Sequence, residues 1–274
     1  MDTRFWGPSG WRLLHLISFA APNLEHRYLK TFFANLPYVL PCKFCRASLT
    51  DYYMADPIPA DASAFAQWLV RIHNRVNGKL REQKLMTTPN PEWSEIKQRY
   101  TAWMKAPCTT RRMVGWDFLF SVAYTTPCKS VGSAPMPDAP SSNALTSPAL
   151  RNRWNTMTRE ERLPFLETWW AALPHVLPFR EWRDTWSKHI PIPPRLANGR
   201  KAITAWLYKT EHQMCKILSE STPHDSFKGL CSELNSYSSG CGKKKSGRTK
   251  TCRGKRGGIR KTRTRKYRAT GGFL

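Results

Sequence analysis

The sequence of 274 residues is poor in negative charge: 19 Asp+Glu stand against 44 Lys+Arg, a formal net charge of +25. No apolar stretch approaches the roughly 20 residues that span a bilayer, so no transmembrane helix is expected. The opening segment carries Asp2 early and has no small-residue cleavage pattern behind a long apolar run, which reads against secretion. Eight cysteines are too few for a disulfide-stapled secreted scaffold of this size. Strand-like alternation is missing throughout. Only one C-x-x-C occurs, and no histidine pair at finger spacing follows it, so a standard zinc site is not indicated.

What is present is a core. Apolar residues make up 41% of the chain and aromatics 12%, with 12 Trp, which excludes wholesale disorder. The spacing predicts a helix over 11–21, where Trp11, Leu14, His15 and Ser18 share a face, and Pro22 ends it. Further helices are predicted over 26–36, 42–54, 63–84 and 93–103. The expected fold class is all-α, beginning with a helical bundle.

Pro41-Cys42-Lys43-Phe44-Cys45 opens the third helix. A haem attachment site would need His at position 46, where Arg stands, and a thioredoxin site would need a βαβ context. A redox dithiol at a helix N-terminus remains, where unpaired N–H groups and the helix dipole favour a thiolate. Two other readings stay open: an inert, half-buried cysteine pair, and a zinc-binding helical protein using Cys42 and Cys45 with distant ligands.

Three motifs in order carry a resemblance: Trp6-Gly7-Pro8-Ser9-Gly10-Trp11-Arg12-Leu13-Leu14-His15, then Pro41-Cys42-Lys43-Phe44-Cys45, then His73-Asn74-Arg75-Val76-Asn77-Gly78-Lys79-Leu80. The segment 4–103 resembles the Erv/ALR family of FAD-linked sulfhydryl oxidases. The resemblance implies a four-helix bundle with a short fifth helix around FAD, and a thiol oxidase in which a dithiol substrate reduces Cys42–Cys45, the flavin takes the electrons, and oxygen yields hydrogen peroxide. By position, Cys45 would face the flavin and Cys42 would be the outer sulfur. Gly7, Trp11 and His15 would contact the cofactor from the first helix. His73, Asn74, Val76, Asn77, Lys79 and Leu80 would line its adenine and phosphate side, with Trp93 and Tyr100 near the adenine; Lys79 would offset the diphosphate charge. The run Leu80-Arg81-Glu82 departs from the usual continuation of the family motif, and no cysteine lies between 46 and 107, where many members begin a structural disulfide. Taken singly, Trp11, Trp68 and His15 read as core residues, and His73-Asn74 as a solvated helix turn.

The second half repeats the first. Trp11–Pro22 aligns with Trp116–Pro127, Phe32–Pro41 with Trp169–Pro178, and Ala66–Leu69 with Thr204–Leu207. In the second copy Phe179 and Trp182 replace the cysteines, Phe120 replaces His15, and Glu211 and His212 replace His73 and Asn74. The organisation expected is an FAD-binding domain over 1–106, a degenerate copy without FAD over 107–222 with a disordered Pro/Ser-rich insertion near 129–150, and a disordered polybasic tail over 223–274. The degenerate copy is expected to supply a dimer-like surface within one chain, a homodimer being the other arrangement.

Fourteen of the basic residues fall between Gly240 and Leu274, which hold no acid. Such an arm, 243–268 above all, suits nucleic acid, an anionic membrane surface, nuclear localisation, or plain solubilisation. Cys241 and Cys252 are candidate shuttle cysteines, and Cys108 with Cys128 a candidate structural disulfide. Gly-rich basic termini are similar to those of many large DNA-virus proteins, so a viral enzyme acting on virion-protein thiols in the host cytoplasm or the virion is expected. The alternative is a non-catalytic nucleic-acid-binding or virion-packaging protein on an oxidase-derived scaffold.

Overall fold

The computed structural model describes residues 1–107, 112–127 and 134–238. Their longer regular elements are α1 (Thr3–Ala20), α2 (His26–Val39), α3 (Lys43–Ala55), α4 (Phe65–Glu82), α5 (Trp93–Lys105), α6 (Trp116–Tyr124), α7 (Pro148–Arg153), α8 (Arg159–Val176), α9 (Arg180–His189), α10 (Arg200–Ile217) and α11 (Phe227–Ser236). No strand occurs among the described residues, as the missing alternation predicted.

Local chemistry sets the helix ends. Asp2 caps α1 by accepting from the Arg4 N–H at 2.9 Å. Reciprocal side-chain and backbone bonds between Glu92 and Glu95, and between Thr158 and Glu161, form capping boxes that start α5 and α8. α1 begins earlier than the periodicity predicted and runs through Pro8, because the Gly7-Pro8-Ser9-Gly10 stretch reads as a break but is helical. On α4, Phe65, Trp68, Leu69 and Ile72 are buried at helical spacing. Trp68 is a core residue: it packs on Phe33, Tyr53 and Phe65 and donates its indole N–H to the Asp56 carbonyl at 3.0 Å.

α1 packs on α4 and α5, α3 on α2 and α4; α6 packs on α10 and α11, and α9 on α8 and α10. The two groups share one core, joined most extensively by α2 against α8 and then by α1 against α6. Tyr28 stacks on His175 at 3.8 Å, Tyr38 on Phe165 at 3.9 Å, and Phe32 lies 5.1 Å from Trp169. At the α1–α6 crossing, a Cβ on Gly10 would stand 3.1 Å from the Phe118 ring, and one on Gly115 would stand 2.6 Å from Leu13.

Two expectations need correcting. The insertion expected to be disordered is ordered from Ala134 onward. Met136 N–H donates to the Trp154 carbonyl at 2.9 Å, Leu145 is buried, and α7, capped by Ser147, packs on α3. Its order comes from buried amides rather than an apolar face: Asn152 donates to the Pro37 carbonyl and to Thr50. The helical body also runs past the expected boundary at 222. α11 buries Leu230 and Leu234 against α6, in a segment whose Pro, Ser and Gly content hid its pattern. Cys108, Cys128, Cys241 and Cys252, with the tail 243–268, lie outside the described residues.

Candidate redox and cofactor site

The chain turns from α2 into α3 through Leu40 and Pro41, and Cys42 takes the N-cap position with extended backbone. Cys45 follows in the first turn, which holds no acidic side chain. Both sulfurs therefore sit where the open N–H groups of the helix concentrate positive potential. Cys42 is 6% exposed, whereas Cys45 is half-buried, the reverse of what an outer and an inner sulfur would give. The insertion approaches this helix end: Lys43 Nζ donates to the Ala134 carbonyl at 3.0 Å.

Arg46 was not anticipated as a site residue. It lies one turn beyond Cys42, its N–H donating to the Cys42 carbonyl at 3.0 Å, and the residue is 5% exposed. Its guanidinium donates to the Leu40 carbonyl at 2.9 Å and to Asn155 Oδ1 at 2.8 Å. Burial lowers its pKa to about 10, against the opposing pull of negative charge on Cys42 and Cys45. Arg162 of α8 donates to the Tyr38 carbonyl at 3.0 Å; burial pushes it well below the ordinary arginine value, and the like charge of Arg46 pushes the same way. The i, i+4 spacing of Cys42 and Arg46 is the one sequence signal that pointed to this neighbourhood.

A second cluster gathers residues from α1, α4 and α5. His15 Nε2 and His73 Nδ1 share a hydrogen bond of 2.9 Å, so one ring donates and the other accepts. Trp11 stacks on His73 at 3.8 Å, and Tyr100 lies 5.1 Å from His15. Phe19 bridges Tyr100 and Trp93. Burial, then the neighbouring His73 and Arg99, pushes His15 well below the usual imidazole value; burial lowers His73 to about 3 and raises Tyr100 to about 12. All three are neutral near neutral pH. His15 Nδ1 and His73 Nε2 are buried with no hydrogen-bond partner among the described residues, which costs on the order of 1–3 kcal/mol each. Neutral imidazoles with orphaned nitrogens are ready to bond a polar ligand atom.

The remaining expected residues spread along α4. Asn77 is buried and donates to Asn90 Oδ1 at 3.2 Å, which also accepts from Arg81 at 3.0 Å. Asn74 and Trp93 line one open groove of about 450 Å³ with Asn90 and Glu92. Gly78 and Lys79 line another of about 450 Å³ with Tyr52 and Arg75, and Lys79 Nζ donates to Ser48 at 2.6 Å. Val76 and Leu80 are half-buried on the same helix. Gly7 stands one turn before Trp11, with open space where its Cβ would be. Asn90 and Ser48, the partners of Asn77 and Lys79, carried no recognisable sequence signal.

In the second group of helices, the positions that align in sequence with the cysteines are filled by packed aromatic rings. Phe179 and Trp182 pack edge to face at 4.7 Å. His224 bonds the fully buried Glu211 at 2.8 Å and meets the Phe120 ring edge-on. Cys215 is buried in α10 and pushed up to about 12 by burial; Cys231 lies within α11, its thiol also raised by burial. Among the described residues no group of three or more His, Cys, Asp or Glu converges as a metal site, and no helix is long and apolar enough to cross a membrane.

The Erv1/Alr family profile matches residues 8–101, a span running from within α1 to within α5 that contains Cys42, Cys45, His15 and His73. A protein of Acanthamoeba polyphaga mimivirus named as a probable FAD-linked sulfhydryl oxidase is 33% identical over 100 residues, covering 32% of this chain and 67% of that protein. An FAD-linked sulfhydryl oxidase of rice is 33% identical over 79 residues, and the mitochondrial one of Saccharomyces cerevisiae 27% identical over 88. The matched segments cover 27% and 30% of this chain, and only 41% and 47% of the rice and yeast proteins. No solved structure matches the chain. The chain belongs to the Erv1/Alr family.

Proposed function

We propose that this chain is an FAD-linked sulfhydryl oxidase that forms disulfides in dithiol protein substrates. One observation carries the reading: a Pro-Cys-x-x-Cys opens α3 in the same small bundle that holds two neutral, hydrogen-bonded imidazoles with orphaned nitrogens. That donor set fits a flavin, which needs aromatic packing and a few hydrogen-bond donors and acceptors. Trp11, His15, His73 and Tyr100 would hold the cofactor on one side, with Gly7 leaving room on α1. Asn74, Val76, Asn77, Leu80 and Trp93 would flank the groove beyond, and Lys79 would balance the diphosphate. When bound, FAD accepts the two electrons of the Cys42–Cys45 dithiol and delivers them to oxygen as hydrogen peroxide.

The cysteines perform the exchange. A substrate thiolate attacks Cys42, the Cys42–Cys45 bond breaks, and Cys45 leaves as a thiolate. The second substrate thiolate attacks the mixed disulfide and releases Cys42, so the substrate gains a disulfide and the pair gains two electrons. The helix N-terminus stabilises both leaving thiolates. Cys42 is only 6% exposed, so approach to it is narrow.

The second half, in this reading, is a degenerate copy that replaces a partner subunit. Reciprocal contacts support it. By the sequence alignment Tyr28 matches Phe165 and Tyr38 matches His175, and each tyrosine stacks on the other's counterpart. Gly10 meets Phe118 while its match Gly115 meets Leu13, the match of Phe118. Such i-to-j, j-to-i pairing characterises a two-fold interface. Cys241 and Cys252 remain the proposed shuttle pair. The viral relative supports a viral enzyme, for which host cytoplasm or virion is the proposed place of action and virion proteins are the proposed substrates. The acid-free tail favours a second reading, a nucleic-acid-binding or packaging protein without catalysis.

Oxygen uptake decides between them. Purified protein given a dithiol is expected to consume oxygen and release one hydrogen peroxide per disulfide formed. A protein that consumes none after FAD is supplied contradicts the oxidase reading.

A further inference from the structure

We propose that Arg46 and Arg162 together are the counter-charges of the redox pair, holding reduced Cys42 as a thiolate, so that the second half of the chain contributes a positioning residue to the active site of the first.

The two guanidinium groups bond carbonyls just ahead of Cys42, one in the last turn of α2 and one in the turn that follows it. Arg162 donates to Tyr38, four residues before the cysteine, and Arg46 to Leu40, two residues before it. Each keeps an Nε sealed from solvent without a hydrogen-bond partner among the described residues. A guanidinium withdrawn from water normally meets a carboxylate, because an uncompensated buried charge costs several kcal/mol. Here no ion pair joins either group to a carboxylate among the described residues. The nearby acids are committed elsewhere: Asp51 pairs with Arg153 at 2.7 Å and Glu161 with Arg151 at 2.7 Å. Lys43 and Lys79 add only positive charge and bond Ala134 and Ser48. Tyr38 is neutral, its pKa raised by burial, and Glu82 at the end of α4 acts on Tyr52. The negative groups that act on Arg46 are the sulfurs of Cys42, first, and Cys45.

The second half provides an internal contrast, which rests on reading it as a repeat. Arg183 matches Arg46 and makes the same bond, to the Leu177 carbonyl at 2.7 Å. It has acidic neighbours in Asp184 and Glu181, whose charges support it. At the matching positions of the first half stand Ala47 and Phe44. Where the cysteines are lost the arginine has carboxylates; where they are present it has thiols. Arg162 has no such twin: its match is Glu25, which is exposed and pairs with Arg27. The second copy has therefore supplied a charge to the first that two identical copies would not. A stabilised Cys42 thiolate leaves the mixed disulfide faster, and the same field draws in the incoming substrate thiolate.

The test is the ultraviolet thiolate absorbance of the reduced full-length protein against pH, taken as the difference from Cys42→Ser. The wild type is expected to titrate at least about one unit below the ordinary thiol value near 8.5. Arg162→Met and Arg46→Met are expected to move the midpoint up by about one unit, and Arg162→Lys, which keeps the charge, by much less. A wild-type midpoint at or above the ordinary value overturns the proposal whether or not the methionine variants fold. Overlapping titrations of folded variants overturn it too. Absorbance needs no turnover, so a shifted titration in a protein without oxidase activity would sink the oxidase reading and leave this one standing.

Discussion

Cys45→Ser is expected to lower dithiol turnover by about a thousandfold or more while leaving the fold and the bound flavin in place. Serine fills nearly the same volume at a half-buried position in the first turn of α3, where the helix needs nothing from the sulfur for its backbone bonds. What is lost is the leaving thiolate. Cys42 alone has no internal disulfide to offer, so an incoming thiol finds nothing to exchange with, and electrons have no route from substrate to cofactor. Steady-state oxidation of a small dithiol measures this, with the flavin absorbance as the control for folding. Turnover within tenfold of the wild type would mean that another cysteine pair carries the reaction.

Gly115→Ala is expected to have the largest effect on stability of any single-methyl change, about 2–5 kcal/mol. Gly115 caps α6 with φ at +100°, a conformation that strains any residue with a Cβ. The added carbon would stand 2.6 Å and 2.9 Å from Leu13 side-chain atoms, at the crossing where α1 and α6 touch. Strain and overlap act together, and Leu13 is fully buried with nowhere to yield. Gly78→Ala makes the matched control. Nothing lies near its Cβ position, and alanine inside α4 is expected to stabilise by about 0.5–1 kcal/mol. Denaturant unfolding of the two variants measures both. A Gly115→Ala protein as stable as the wild type would show that the α1–α6 contact does not hold the halves together.

How much of this was legible in the sequence varies with the physics involved. α2 and α4 announced themselves by apolar spacing, and α3 by Pro41 before its first turn. The His15–His73 contact was legible only through the resemblance, since two histidines 58 positions apart carry no mark of meeting. α7 and α11 were missed because Pro, Ser and Gly dominate their surroundings, while the forces that order them are a few buried leucines and asparagine amides. Arg46 and Arg162 were missed for a related reason. A charged side chain on a helix reads as solvated, and only tertiary packing withdraws these two from water. The parallels between the two halves lie in Trp, Pro and Leu positions, and nothing in them marks the stacking of Tyr28 and Tyr38 across the two groups of helices.

The most direct measurement is the visible absorption spectrum of the purified protein, before and after a dithiol is added without air, and again on readmitting oxygen. The account predicts a flavin band that bleaches with the dithiol and returns with oxygen. A protein that stays colourless after FAD is supplied, or a flavin band that the dithiol leaves unchanged, would contradict it.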